Sequence, residues 1–309
     1  MTGIWMDAPV RSFVEVMEIW VPEGERLVPG GGHYGALSAF AEASRKTSFA
    51  KGEGLPGKAW AEARPVVLKA FEGSYFQRIE AAAEAGLTSA VAIPVFAGRS
   101  LKAVLVVLCS DDADRFGAIE VWAESAGILS LEDGYYGAAK AFEDVSQRTT
   151  FNRGQGLPGS VWSSKTPILM RDLGQGYGFV RAESAGKIGL TMGLGLPVPV
   201  PDGTHFALTL LTGSGTPIAR RFEIWDARAA KVGATGRAIL TDGICAREGA
   251  LWDHEEERTV TPWQGPVGRA LGSGLPVIDT GAGAAGYASM VALPIHRGGE
   301  LAHIVAWYC

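Results

Sequence analysis

A chain of 309 residues, 47% of them apolar, is long enough for two or three domains with real cores. Its net charge of −5 is dispersed along the chain, which excludes the basic face that nucleic acid or an anionic membrane requires. No segment has signal-peptide form, the apolar run Ala103–Cys109 is too short to span a bilayer, and three cysteines cannot all pair, so a reducing cytoplasm is the expected setting.

In chain order, residues 1–11 read as a tail. Residues 13–21 (FVEVMEIWV) alternate in part and predict a strand, turned by Pro22-Glu23-Gly24 into a second around Arg26–Val28. After Gly30-Gly31-Gly32, residues 36–46 fit a short helix. Residues 49–60 (FAKGEGLPGKAW) predict a turn entering a helix: glycine allows φ > 0 and close approach, and Pro56 pre-sets the first helical turn. A strand at Val66–Lys69 follows. Phe76 to Ala85, with Phe76, Ile79 and Ala83 on one face, predicts an amphipathic helix, and Ser89–Val95 with Leu101–Cys109 predicts a hairpin.

The plan then recurs. Gly52, Gly54, Leu55, Pro56, Gly57 and Trp60 reappear 102 residues later as Gly154, Gly156, Leu157, Pro158, Gly159 and Trp162. The strings MEIW, IEVW and FEIW end at Trp20, Trp122 and Trp225, and Phe76 and Arg78 reappear as Phe179 and Arg181. A fixed period of about a hundred residues is the size of a small domain. The predicted organisation is a tail (1–11) and units at 12–113, 114–215 and 216–309, with minimal linkers at Ser110–Arg115 and Gly213–Arg220. Each unit is predicted to be α+β, an antiparallel sheet with helices covering one face. The third is degenerate: WQGPVGRAL keeps Gly265 and Gly268, and the stretch between Pro276 and Met290 has no room for a helix carrying F-x-R, which leaves a packing or oligomerisation face.

Gly52-x-Gly54-x-x-Gly57 and its copy satisfy a dinucleotide fingerprint, but no buried strand leads into them within a βαβ unit, so they read as structural turns. An HExxH-like start at His254 has Arg258 where the second histidine belongs, and the acidic run Asp253 to Arg258 reads as a solvated helix face. No nucleophile motif or P-loop lysine appears, so neither catalytic residues nor metal ligands are expected. Arg78 and Arg181 stand beside aromatic residues at the rim of the sheet–helix interior. They either capture a carboxylate or phosphate in bidentate fashion, or cover the core and pair with an acid such as Glu80 or Glu183.

The glycine-rich GLPG turn followed by tryptophan, the proline-led strands RPVVL, TPILM and LPVI, the F-x-R helix and the closing hairpin resemble GAF domains, the small-molecule sensor modules of signalling proteins. The resemblance covers almost the whole chain and implies a ligand pocket between each sheet and the helices after the GLPG turn. On it, Phe76 and Arg78 in the first unit, and Trp162, Phe179 and Arg181 in the second, are the expected binding residues. It names no cofactor: the N-K-F-D-E motif of cyclic-nucleotide binders is absent, as is the cysteine placement of bilin-binding or sulfoxide-reducing relatives. The expected function is a non-catalytic sensor or regulatory protein that binds an unidentified small molecule and acts through a separate signalling partner. A homo-oligomer fits this reading. The competing readings are a ligand-free interaction scaffold and, more distantly, an enzyme using a free cysteine. On the sensor reading Arg181→Ala abolishes a ligand's thermal shift and spares the apo midpoint, and Trp162→Ala does the reverse.

Overall fold

Alternation along the strands decides the architecture, because each sheet has two faces and both are apolar. The computed structural model describes residues 12–175, 178–213, 215–228, 236–252 and 257–309. The 1–11 tail and residues 253–256 of the acidic run lie outside them.

The first unit runs β1 (Val16–Glu23), β2 (Arg26–His33), α1 (Ser38–Arg45), β3 (Phe49–Ala50), α2 (Gly54–Glu62), β4 (Val66–Leu68), α3 (Ile79–Glu84), β5 (Ser89–Ala97) and β6 (Ser100–Cys109). Its strands form one antiparallel sheet in the order β3-β2-β1-β6-β5-β4. The second unit repeats this as β7 (Phe116–Ser125), β8 (Ile128–Gly137), α4 (Lys140–Arg148), β9 (Thr150–Phe151), α5 (Gly156–Ser164), β10 (Ile168–Arg171), α6 (Ala182–Lys187), β11 (Leu190–Val198) and β12 (Phe206–Gly213). The third has β13 (Arg221–Asp226), β14 (Ala238–Cys245), β15 (Gly249–Ala250), β16 (Thr259–Val260), α7 (Gly265–Ser273), β17 (Val277–Asp279), β18 (Met290–Arg297) and β19 (Glu300–Tyr308). Between β17 and β18 a 3-10 turn, Ala282–Ala284, stands where the other units carry α3 and α6. The fold is α+β, as the repeat predicts, and no described helix is long and apolar enough to cross a membrane.

The turn motif has a steric reason. A Cβ on Gly57 would lie 2.1 Å from the Ala50 carbonyl oxygen, and one on Gly159 would lie 2.2 Å from that of Asn152. In the third unit Gly268 meets Thr261 at 2.4 Å. Each turn is also closed by its own side chain: Glu53 accepts from the Ala50 N–H, Gln155 from Asn152 and Gln264 from Thr261. These loops hold backbone against backbone, which fits a structural turn.

On β6, Val104, Val106 and Leu108 point into the unit's own core, beneath its helices, and Leu105, Val107 and Cys109 point the other way. That second face meets its counterparts: Met17 and Ile19, Ile119 and Val121, and Phe222 and Ile224 share one central core with residues of β5, β11 and β18. The three sheets are therefore packed back to back. The contacts run around a ring, with β4 against β8 and β17 against β1 and β2. Lys69 after β4 bridges Asp133 and Glu143, each at 3.0 Å, and Arg171 of β10 binds Asp242 and the Gly243 carbonyl, the latter at 3.1 Å.

Candidate functional site

The expected amphipathic helix is shorter than its pattern. Arg78 and Arg181 are the N-cap residues of α3 and α6, so each guanidinium enters the unit from the helix mouth instead of lying along a helix face. Both are buried, at 6% and 3% exposure, inside the space where a pocket is expected.

Each guanidinium is already occupied there. Arg78 Nη2 donates to Glu18 Oε2 at 2.9 Å and Nη1 donates to Glu18 Oε1 and Ser44 Oγ. Arg181 repeats the pattern on Glu120, with Nη2 to Oε2 at 2.8 Å and Nη1 to Oε1 and Ser146 Oγ. The acids proposed from sequence, Glu80 and Glu183, are not the partners. Those residues sit on the short helices beyond the cap, whereas the guanidinium points inward to a strand sixty or sixty-one residues earlier. Four rings wall each charge. Phe40, Phe76, Trp20 and Phe49 lie 4.7, 5.2, 5.3 and 5.9 Å from Arg78 Cζ. Phe142, Phe179, Trp122 and Phe151 lie 4.7, 5.1, 5.1 and 5.8 Å from Arg181 Cζ. Phe76 also stacks on Phe71, with ring centroids 3.9 Å apart.

The carboxylates are well satisfied. Glu120 also accepts from Trp122 Nε1, Thr209 and Tyr136. Burial alone would raise its pKa, but the Arg181 charge and the hydrogen bonds from Arg181, Thr209 and Ser146 outweigh it and hold the carboxyl below its ordinary value. Burial and the Glu18 charge push Tyr34, the counterpart of Tyr136, up to about 12. The Nε of each arginine is buried without a hydrogen-bond partner. Chemically this is a neutralised ion pair in an aromatic cage, with both Nη groups turned to an internal anion.

The third unit keeps the acid and changes the base. Glu223 accepts from Trp225 Nε1 at 3.0 Å and from Tyr308 Oη at 3.1 Å, and its cation is Arg221, two residues earlier on β13. Arg221 Nε reaches it at 2.7 Å while a second nitrogen binds Glu248 at 3.0 Å. Sequence reasoning passed over all three glutamates. Their signal was present: an acid recurring inside an apolar strand, two residues before a tryptophan and therefore on the same face.

Trp162 stands apart from the cages. It is half-buried near the end of α5, with its ring 6.4 Å from that of His205 and 6.0 Å from Arg153 Cζ. It lines a groove of about 240 Å³ between the second and third units. Among the described residues no group of three or more His, Cys, Asp or Glu is arranged to hold a metal.

The GAF domain family model matches residues 12–123. No curated protein matches the sequence. Solved structures similar to part of the chain include the NLH2 GAF domain of A. aeolicus in an inactive state: 23% identity, TM-score 0.27, covering 32% of this chain and 59% of that one. Another is free methionine-R-sulfoxide reductase from Neisseria meningitidis in complex with its substrate, at 17% identity and TM-score 0.25, covering 31% and 52%. A third is the GAF domain of a two-component sensor histidine kinase from Bacillus halodurans, at 11% identity and TM-score 0.26, covering 44% and 78%. The chain thus spans little more than half the length of the first two.

Proposed function

We propose that this chain, whose residues 12–123 belong to the GAF domain family, is a non-catalytic regulatory protein of signalling type that works through a separate partner. The observation that carries the reading is the shared core. With three sheets packed back to back, a displacement at one unit must be accommodated by the other two. Such a body suits a sensor whose output is a small change of surface read by another protein.

Two further observations support it. The Cys109 thiol is pushed well up by burial and Cys309 is pushed by burial to about 12, so both stay protonated at neutral pH and are poor nucleophiles. All three cysteines are unbridged, which fits the reducing cytoplasm. The filled cages also favour a second reading, a ligand-free interaction scaffold, because Arg78 and Arg181 already hold internal carboxylates.

Thermal unfolding of the full chain against a panel of metabolites and nucleotides separates the two. On the regulatory reading at least one compound raises the midpoint, and at a hundredfold excess over its dissociation constant it adds about 2.7 kcal/mol. A flat response across the panel, together with a lowered midpoint in Arg78→Lys, which loses the bidentate grip on Glu18, favours the scaffold.

A further inference from the structure

The groove beside Trp162 exists because the second unit departs from its siblings. In the first unit β5 passes to β6 through Gly98-Arg99, and in the third β18 passes to β19 through Gly298-Gly299. In the second, residues 199–205 (PVPDGTH) separate β11 from β12, and Asp202 fixes this loop by accepting from the Thr204 N–H at 2.9 Å. Between this loop, the end of α5 and the β18 hairpin is a space of about 240 Å³, room for several waters or a small ring system.

Two kinds of group line that space. Trp162, Phe206, Pro199 and Val200 supply flat apolar walls, and the charged or titratable members are Lys165, His205, His296 and Arg297. No carboxylate is among the described lining residues. Burial, with the Lys165 and Arg153 charges, lowers the His205 imidazole below its ordinary value against the raising charge of Glu124, whose backbone N–H donates to the His205 carbonyl. His296 is buried, at 5% exposure, and its Nδ1 has no hydrogen-bond partner. Burial, with Lys102 nearby, lowers its pKa, so the ring is neutral and can present an N–H. A buried imidazole with an unpartnered Nδ1, among the lining of an electropositive, aromatic-walled groove, is an incomplete site.

We propose that this groove binds a small planar apolar molecule carrying a single carboxylate. The ring lies against Trp162 and Phe206, Lys165 compensates the charge, and the imidazole of His296 supplies the hydrogen bond it now lacks. The proposal rests on the regulatory reading and adds to it where the ligand sits and which class it belongs to. Because the walls come from two units, occupancy ties the second unit to the third.

The test uses the full chain and 1-naphthoate as probe, with 1-naphthylmethanol as its neutral counterpart, by isothermal titration calorimetry. One naphthoate should bind per chain, at least tenfold more tightly than the alcohol. Lys165 has φ +56 at the C-cap of α5, a conformation glycine adopts without strain. Lys165→Gly should therefore weaken naphthoate binding about tenfold without lowering the unfolding midpoint. His296→Phe should weaken binding by a similar factor. Trp60→Phe, at the equivalent position of the first unit, should leave affinity unchanged. Equal affinity for acid and alcohol, full affinity in Lys165→Gly, or no saturable binding up to millimolar naphthoate would overturn the proposal. If naphthoate fails while a compound of another class raises the midpoint, only this assignment falls. If nothing binds, the regulatory reading falls with it.

Discussion

A carboxylate and a guanidinium buried together are costly to separate, and this decides what Arg181 does. Removing one partner of a buried pair leaves an uncompensated charge and costs about 3–5 kcal/mol, whereas replacing both can be nearly neutral. Arg181→Met should therefore lower the apo midpoint sharply, and Arg181→Met with Glu120→Gln should recover most of the loss, both read by urea unfolding. This reverses the sequence expectation that Arg181→Ala spares the apo protein. The pH dependence carries a sign. In the native protein Glu120 sits below its ordinary value of 4.5, so its contribution is full above that value and lost as pH falls through the depressed one. In Arg181→Met burial becomes the dominant influence and raises the carboxyl. The variant's deficit should then be smaller at pH 4 than at pH 7, and a deficit that grows on acidification would contradict the ion-pair account. Trp162 changes in the other direction. Half-buried in a groove, it should cost about 1–2 kcal/mol on truncation to alanine, less than the 3–5 kcal/mol typical of a fully enclosed aromatic such as Trp122.

Elements built from short-range signals were readable in advance, and those that depend on distant partners were not. The GLPG turn is local: glycine spacing, proline and the closing Glu53 or Gln155 lie within a few residues. Its requirement is testable, because a methyl on Gly159 would press the Asn152 carbonyl at 2.2 Å. Gly159→Ala should destabilise by about 1–3 kcal/mol as overpacking, measured by thermal unfolding, and Gly154→Ala, with nothing within 4 Å of its added methyl, should act only through its positive φ. The helices α3 and α6 were overextended from sequence because Phe76 and Phe179 share their apolar period, yet each packs in the segment before the cap. Glu18 and Glu120 stayed hidden for a related reason. An acid inside a strand is explained only by its arginine, sixty or sixty-one residues away. The continuous apolar run of β6 suits a strand buried on both faces, but the residues covering its second face come from other units and have no local signal.

At the scale of the whole molecule the answer is the other two sheets, and this makes the units interdependent. Polar contacts at the junctions contribute little: Lys69 is about half exposed, its side chain at 48%, and such pairs are worth about 1 kcal/mol or less. They are also unevenly placed around the ring. Asp133 and Asp242 oppose Val121 and Ile224 in register, but Gly31 opposes Ile19, and Thr280 follows β17 where Lys69 follows β4. The junction of the third unit with the first therefore lacks that cation–aspartate combination, and beside its apolar core it keeps hydrogen bonds from the Phe13 N–H and the Ser12 hydroxyl to the Pro217 carbonyl. For the second unit alone, Leu194, Leu196, Leu208 and Leu210 would face water. At about 1.5–3 kcal/mol each, four exposed leucines forfeit roughly 6–12 kcal/mol, comparable with the entire stability of an ordinary domain. A fragment of residues 114–215 should therefore self-associate or remain unfolded, whereas the full chain should unfold in urea as one transition that high salt barely moves. Size-exclusion chromatography, dye binding to exposed apolar surface and urea titration measure these outcomes. A monomeric fragment with a cooperative transition matching the full chain's midpoint would show that the shared core is a contact between independent domains, and would remove the coupling on which the regulatory reading depends.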